Sequence, residues 1–193
     1  MREIALHLLD LAENSVSAGA RTVEITICED LRADRLSASI ADDGRGMDAE
    51  TLKKVTDPFY TSRTTRKVGL GIPLLKGAAE ECNGTLSINS QPGAGTRLDV
   101  AFQHSHIDRM PLGNLPGTFL ALVVAHPDTH WIFRYIARGS VIEDSFEFDD
   151  RPIKETLDGL SLSHPQVLKY LRQSLEDGLS EPRKALNPVP IQS

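Results

Sequence analysis

Residues 7–15 read HLLDLAENS. If a helix runs over roughly residues 2–18, at about 100° per residue, Glu3, His7, Asp10, Asn14 and Ser17 share one arc about 80° wide. Glu13 stands close by. Ile4, Ala5, Leu8, Leu9, Leu11, Ala12 and Val16 fill most of the remaining surface. The pattern predicts a mostly buried helix with one narrow polar file, ended by Gly19 as a C-cap residue. A core-packing helix that keeps such a file, an amide included, fits a helix facing a small polar ligand.

Outward from that helix, RTVEITICED (21–30) alternates, with Val23, Ile25 and Ile27 on one face. RLSASIADD (35–43) alternates again, and the two runs predict an antiparallel hairpin. DDGRGM breaks regular structure, and DAETLKKVT reads as a short helix with Asp48 as N-cap. DPFYTSRTTRKVGLG (57–71) has no period and reads as a loop. IPLLKGAAEECNG follows as a helix, with Pro73 tolerable in its first turn. TLSINS, the turn QPGAG and TRLDVAF predict a second hairpin. Residues 1–103 therefore read as one α+β layer structure, helices on one face of a largely antiparallel sheet.

QHSHIDRMPLGNLPG (103–117) reads as a linker, taken as residues 104–116. TFLALVVA, HWIFRYIA and VIEDSFEFD read as three strands of a meander, and two helices follow, the second capped by Ser163. Residues 117–180 form this β-meander and helical part. Residues 181–193, rich in proline, read as a flexible tail. Three strands alone hold too little core. They are expected to pack on the first domain, on the helices or on a second copy of the chain, a homodimer.

The 193 residues carry a formal net charge of −6, which argues against a nucleic-acid surface. Hydrophobic residues are 40% and charged residues 25%, the balance of a soluble globular protein. Cys28 and Cys82 have neither metal-ligand spacing nor the look of a disulfide framework, so a reduced, cytoplasmic setting is expected. The N-terminus interleaves acids with its apolar residues, unlike a signal peptide. No apolar run approaches the ~20 residues needed to span a bilayer, so no membrane insertion is expected.

Two glycine-rich breaks carry chemistry. DDGRG follows a buried strand, where a carboxylate is held rigidly and glycines let a flat ligand approach the backbone. KVGLG precedes a helix whose N-terminus can hold phosphate, with Arg63, Arg66 and Lys67 upstream. A flat-base site and a phosphate site together mean a nucleotide. No GxxxxGK[ST] occurs, which removes the P-loop mechanism.

DLAENSVSAGA, ADDGRGM, DPFYTSR, GLGIPLLK and GAGTRLDVAF resemble, in order, the boxes of the GHKL superfamily, the Bergerat-fold ATPase domain of histidine kinases, gyrase and mismatch-repair ATPases. The resemblance covers about residues 4–103. It implies a Bergerat-type α/β sandwich that binds ATP and Mg²⁺. Asn14 would be the Mg²⁺ ligand. Asp10 stands where hydrolytic members keep a glutamate that polarises water. Asp42 would accept from the adenine amine, with Gly44, Gly46 and Met47 shaping the base pocket and Thr96 closing it. Phe59, Thr61, Ser62, Arg63 and Lys67 would belong to a lid over the phosphates, and Gly69, Leu70 and Gly71 would offer backbone N–H groups.

The chain departs from the pattern at three positions. Lys67 replaces a glycine, Ser17 replaces a common Asp or Lys, and Asp10 is one methylene shorter than Glu. That shortening could misplace a base by about 1 Å and cost on the order of 10²-fold in rate. His7 lies on the nucleotide helix itself and reads as a supporting or partner-facing residue rather than a phospho-acceptor. The resemblance thus implies a histidine kinase-like signalling protein with its acceptor on a partner protein. The alternatives are an ATP-gated interaction switch and a slow ATPase. HPDTH (126–130) reads as a hairpin turn rather than a metal site, HSH (104–106) as linker, and the aromatics Phe119, Trp131, Phe133, Tyr135, Phe146 and Phe148 as core.

Overall fold

The computed structural model describes residues 3–56, 71–157 and 160–186. The elements run α1 (Ile4–Ser17), β1 (Thr22–Asp30), β2 (Arg35–Asp42), α2 (Ala49–Thr56), α3 (Gly71–Glu81), β3 (Thr85–Gln91), β4 (Gly95–Gln103), α4 (Leu115–Ala125), β5 (His130–Arg138), β6 (Glu143–Asp149), α5 (Arg151–Thr156) and α6 (Pro165–Arg183). The six strands make one sheet in the order β3-β4-β2-β1-β5-β6. All neighbours are antiparallel except β1 and β5. This is the α+β arrangement expected from the sequence.

Alternation along β1 sets the layers. Val23, Ile25 and Ile27 are fully buried among α1 and the inward residues of β2 and β4, including Ile40, Leu98 and Val100. The intervening Thr22, Glu24 and Thr26 are only half-buried, as a period of two requires. Asp48 caps α2 through a hydrogen bond from Thr51 N at 2.7 Å. Gly19 follows α1 at φ 78°, as a C-cap glycine should.

Residues 115–125 correct the sequence reading. TFLALVVA is helix α4, not a strand. Asn114 caps it, its side chain accepting from Gly117 N at 3.0 Å, and a proline stands in its first turn. A short continuous apolar run does not reveal its period. Here the run is buried on nearly all sides, between α1, α6 and the sheet. The meander is thus only a hairpin, β5–β6, and it does not stand apart. β5 pairs with β1 over the full strand, from Thr22↔His130 to Asp30↔Arg138. The sheet therefore crosses the boundary expected at residue 103.

The linker is ordered too. Pro111 and Leu112 carbonyls accept from Ile4 N at 3.0 Å and Ala5 N at 2.9 Å, satisfying first-turn donors of α1. His164, rather than Ser163, caps α6. The expected tail begins as helix: α6 runs to Arg183, and Pro182 and Ala185 are buried. The expected aromatic core is present, with Phe119 stacked on Phe133 at 4.0 Å between centroids and Trp131 and Phe148 beside Phe133.

His7 departs from its file. It is 3% exposed, so it faces no partner in this state, and its Nδ1 has no hydrogen-bond partner among the described residues. Burial lowers its pKa from the usual 6.5, and Asp10 opposes that. An unfolded chain then binds a proton that the folded chain refuses. His7 therefore favours folding fully above about pH 6.5, and that contribution falls as pH drops through the lowered value. We expect the melting temperature to fall between pH 7.5 and 5.5, and the fall to shrink in His7→Leu. Equal falls in the two proteins would contradict this.

Candidate functional site

Asp42 ends β2 and pairs in register with Thr96 on β4. Both side chains face a cleft of about 860 Å³, within the range of small-molecule sites. Leu11, Ile40, Met47, Ile72, Ile88 and Leu98 supply its apolar walls, while Asn14, Ser17, Asp42, Arg45 and Thr96 supply polar groups. Asn14 and Asp42 therefore open onto one cavity, although 28 positions separate them in the chain.

The Asp42 carboxylate is held on both oxygens. Gly44 N–H donates to Oδ1 at 2.9 Å, and the Ser15 hydroxyl donates to Oδ2 at 2.7 Å. Its neighbour Asp43 turns away and accepts from Arg21 N at 2.7 Å and Thr22 N at 2.9 Å. Burial alone would raise the Asp43 pKa, but those backbone donors outweigh it and hold the group low. Of the two adjacent aspartates, one faces the cleft and the other ties down the start of β1.

Two glycines let the loops around Asp42 interlock. Gly46 has φ 65°, and a Cβ there would stand 1.9 Å from the Gln91 carbonyl oxygen. Gly95 has φ 84°, and its Cβ would meet the Asp42 carbonyl oxygen at 1.9 Å. Ser90 joins the loops: its hydroxyl oxygen accepts from Met47 N at 2.8 Å and lies 2.9 Å from both Gly95 O and Thr96 Oγ1.

One turn before Asn14 on α1, Asp10 stands against the first turn of α3. A Cβ on Gly71 would lie 3.6 Å from Asp10 Oδ2. Asp10, Asn14 and Ser17 are exposed along one side of α1. Glu13 Oε1 accepts from His126 Nε2 at 2.8 Å. The expected lid residues Phe59, Thr61, Ser62, Arg63 and Lys67, and the expected backbone donors Gly69 and Leu70, lie outside the described residues.

A family model described as histidine kinase-, DNA gyrase B-, and HSP90-like ATPase matches residues 2–106. The chain belongs to this family. It is 35% identical over 92 residues to sensor histidine kinase ZraS of Klebsiella oxytoca, which covers 46% of this chain and 19% of that protein. It is 29% identical over 100 residues to sensor histidine kinase YvrG of Bacillus subtilis, covering 50% and 17% respectively. The chain thus spans under a fifth of the length of these curated relatives. Among solved structures, the N-terminal domain of a DNA repair protein matches with TM-score 0.53 at 13% identity, over 93% of this chain and 57% of that one. That likeness concerns the fold, and it extends through the C-terminal part that the family model leaves out.

The chain therefore carries a GHKL histidine kinase-like ATPase domain, an ATP-binding fold. No helix among the described residues is long and apolar enough to cross a membrane.

Sequence reading missed Ser15, Ser90 and Arg45. Ser15 is 5% exposed on the apolar side of α1. A buried hydroxyl needs a partner, and that was the available signal. Ser90 shares the inward register of Leu86 and Ile88, where a polar residue also stands out. HPDTH joins α4 to β5 and so is not the hairpin turn expected, and its histidines take separate partners, His126 meeting Glu13 and His130 meeting Asp149. His130, Asp149 and Asp150 do lie within 4.8 Å. Arg151 Nη2 already contacts His130 Nδ1 at 2.9 Å, and Lys154 Nζ sits 2.6 Å from Asp150 Oδ2. Two cations already serve that cluster.

Proposed function

We propose that the chain is an ATP-binding signalling protein that uses Mg²⁺-ATP and transfers the γ-phosphoryl group to a residue on a partner protein. The observation that carries this reading is the single cleft shared by Asp42, Thr96, Asn14 and Ser17. Asp42 accepts from the exocyclic amine of adenine, and the interlocked glycine loops wall the base. Asn14 lies one turn beyond Asp10, which faces the α3 N-terminus, and the phosphates extend that way; Ser17 lies a turn further, beside the loop that carries Gly44 and Arg45.

The residues present fit a magnesium ion. Asn14 and Asp10 offer hard oxygen donors one helical turn apart. Asp10 and Glu13 make this rim acidic, so a polyphosphate there needs a countercharge. Mg²⁺ would supply charge neutralisation on the phosphate oxygens. Asn14→Ala is expected to remove the Mg²⁺-dependent part of ATP affinity, measured by titration with and without the metal. Unchanged affinity would contradict the assignment.

The chain's own histidines favour an acceptor elsewhere. Of the six, His7 is buried, His104, His126 and His130 contact Glu29, Glu13 and Asp149, and His106 and His164 lie off the cleft. No histidine lines the cleft among its described residues. A second reading, a slow ATPase or an ATP-gated switch, is favoured by one observation: the Asp10 carboxylate sits beside α3 where a water could be polarised.

Incubation with γ-labelled ATP, alone and with a partner protein, separates the readings. Label on the partner supports transfer in trans. Free phosphate without label supports the ATPase, and binding with neither supports the switch. Label on the chain itself would contradict transfer to a partner.

A further inference from the structure

Asp42 has two acceptor oxygens, and each already receives one donor from the protein. Gly44 N–H fixes Oδ1 at 2.9 Å, and Ser15 Oγ fixes Oδ2 at 2.7 Å. A carboxylate is otherwise free to rotate about its last bond, a broad and soft torsion. Two donors from different elements, α1 and the loop after β2, remove that freedom. The Ser15 hydroxyl has an alternative acceptor, the Leu11 carbonyl at 3.3 Å. The shorter contact to Asp42 is the one its geometry favours.

We infer that Ser15 is a positioning residue that sets base specificity: it clamps the Asp42 carboxylate so that its remaining lone pairs face the cleft as acceptors only. This rests on the nucleotide reading above and adds to it the residue that makes the site select a 6-aminopurine. Adenine presents an amine donor to such an edge. Guanine presents a carbonyl oxygen, an acceptor against an acceptor, so a fixed carboxylate rejects it. A loosened carboxylate swings out of that plane and rejects guanine less well. Sites built around buried polar partners discriminate more strongly than sites shaped by apolar contact alone. Ser15 touches no reacting atom. It acts through Asp42.

The test titrates the full chain with ATP and with GTP, in the unaltered protein and in Ser15→Ala, Ser15→Thr, Asp42→Asn and the Ser15→Ala/Asp42→Asn double variant. Ser15→Ala is expected to narrow the ATP-to-GTP affinity ratio about tenfold, in keeping with loss of a hydrogen bond to a charged group. Ser15→Thr, which keeps the hydroxyl, should restore most of the ratio. In the Asp42→Asn background, Ser15→Ala should change the ratio little, because the two residues act as one unit. An unchanged ratio in Ser15→Ala would overturn the inference while leaving the nucleotide reading intact, and so would additive effects in the double variant. Failure of the unaltered chain to bind ATP would overturn both.

Discussion

Gly46→Ala is expected to abolish measurable ATP binding and to lower the melting temperature sharply. Its backbone lies at φ 65°, where a side chain costs about 1–2 kcal/mol. The larger cost is steric. The added methyl would sit 1.9 Å from the Gln91 carbonyl oxygen and 2.7 Å from its carbonyl carbon. Those are backbone atoms of the β3–β4 corner, so no rotamer change relieves the contact. The corner must move, and with it the Met47 N to Ser90 Oγ bond and Thr96. Displacing a binding edge by about 1 Å costs on the order of 10²-fold in function. Thermal denaturation together with ATP titration checks both effects. Wild-type affinity and stability in Gly46→Ala would show that the two loops do not interlock as described.

Cutting the chain after residue 106, where the family match ends, is expected to destroy cooperative folding. β1 is an interior strand, and without β5 its whole length becomes an open edge. Ile4 and Ala5 lose the carbonyls of Pro111 and Leu112, and the apolar side of α1 loses α4. Phe119, Trp131 and Phe133, all 1% exposed or less, vanish from the core. Burying one large apolar side chain contributes about 1.5–3 kcal/mol. Three such losses amount to about 5–9 kcal/mol, comparable with the roughly 5–15 kcal/mol net stability of a typical domain. A bare, flat strand edge also invites aggregation. Circular dichroism and sedimentation of the truncated chain test this. A monomer with a cooperative transition near that of the full chain would contradict it.

The same contrast explains what the sequence could and could not reveal. The first hundred residues were legible because each element there announces itself locally. β1 and β2 alternate strictly, Asp48 caps α2, and glycines stand where φ is positive or where loops touch. Asp42 and Asn14 were legible as a pair through the order of the motifs, and the fold brings them to one cleft. The C-terminal part was less legible. TFLALVVA is apolar at every position but one, so it has no readable period, and its helix signals were the Asn114 cap and the proline that follows it. The β1–β5 pairing joins residues about a hundred positions apart, which no local pattern encodes. Ser15 was hidden for another reason: within ENS its neighbour Asn14 carries the motif. Only the fold brings its hydroxyl to Asp42.

Nuclear magnetic resonance of the full chain titrated with Mg²⁺-ATP tests most directly whether these separated segments meet one ligand. The account predicts that the Asn14 side-chain amide and the backbone amides of Gly44, Met47 and Thr96 shift together along one saturable curve. Shifts at only one end of the cleft, or none at the Gly44–Met47 loop on saturation, would contradict it.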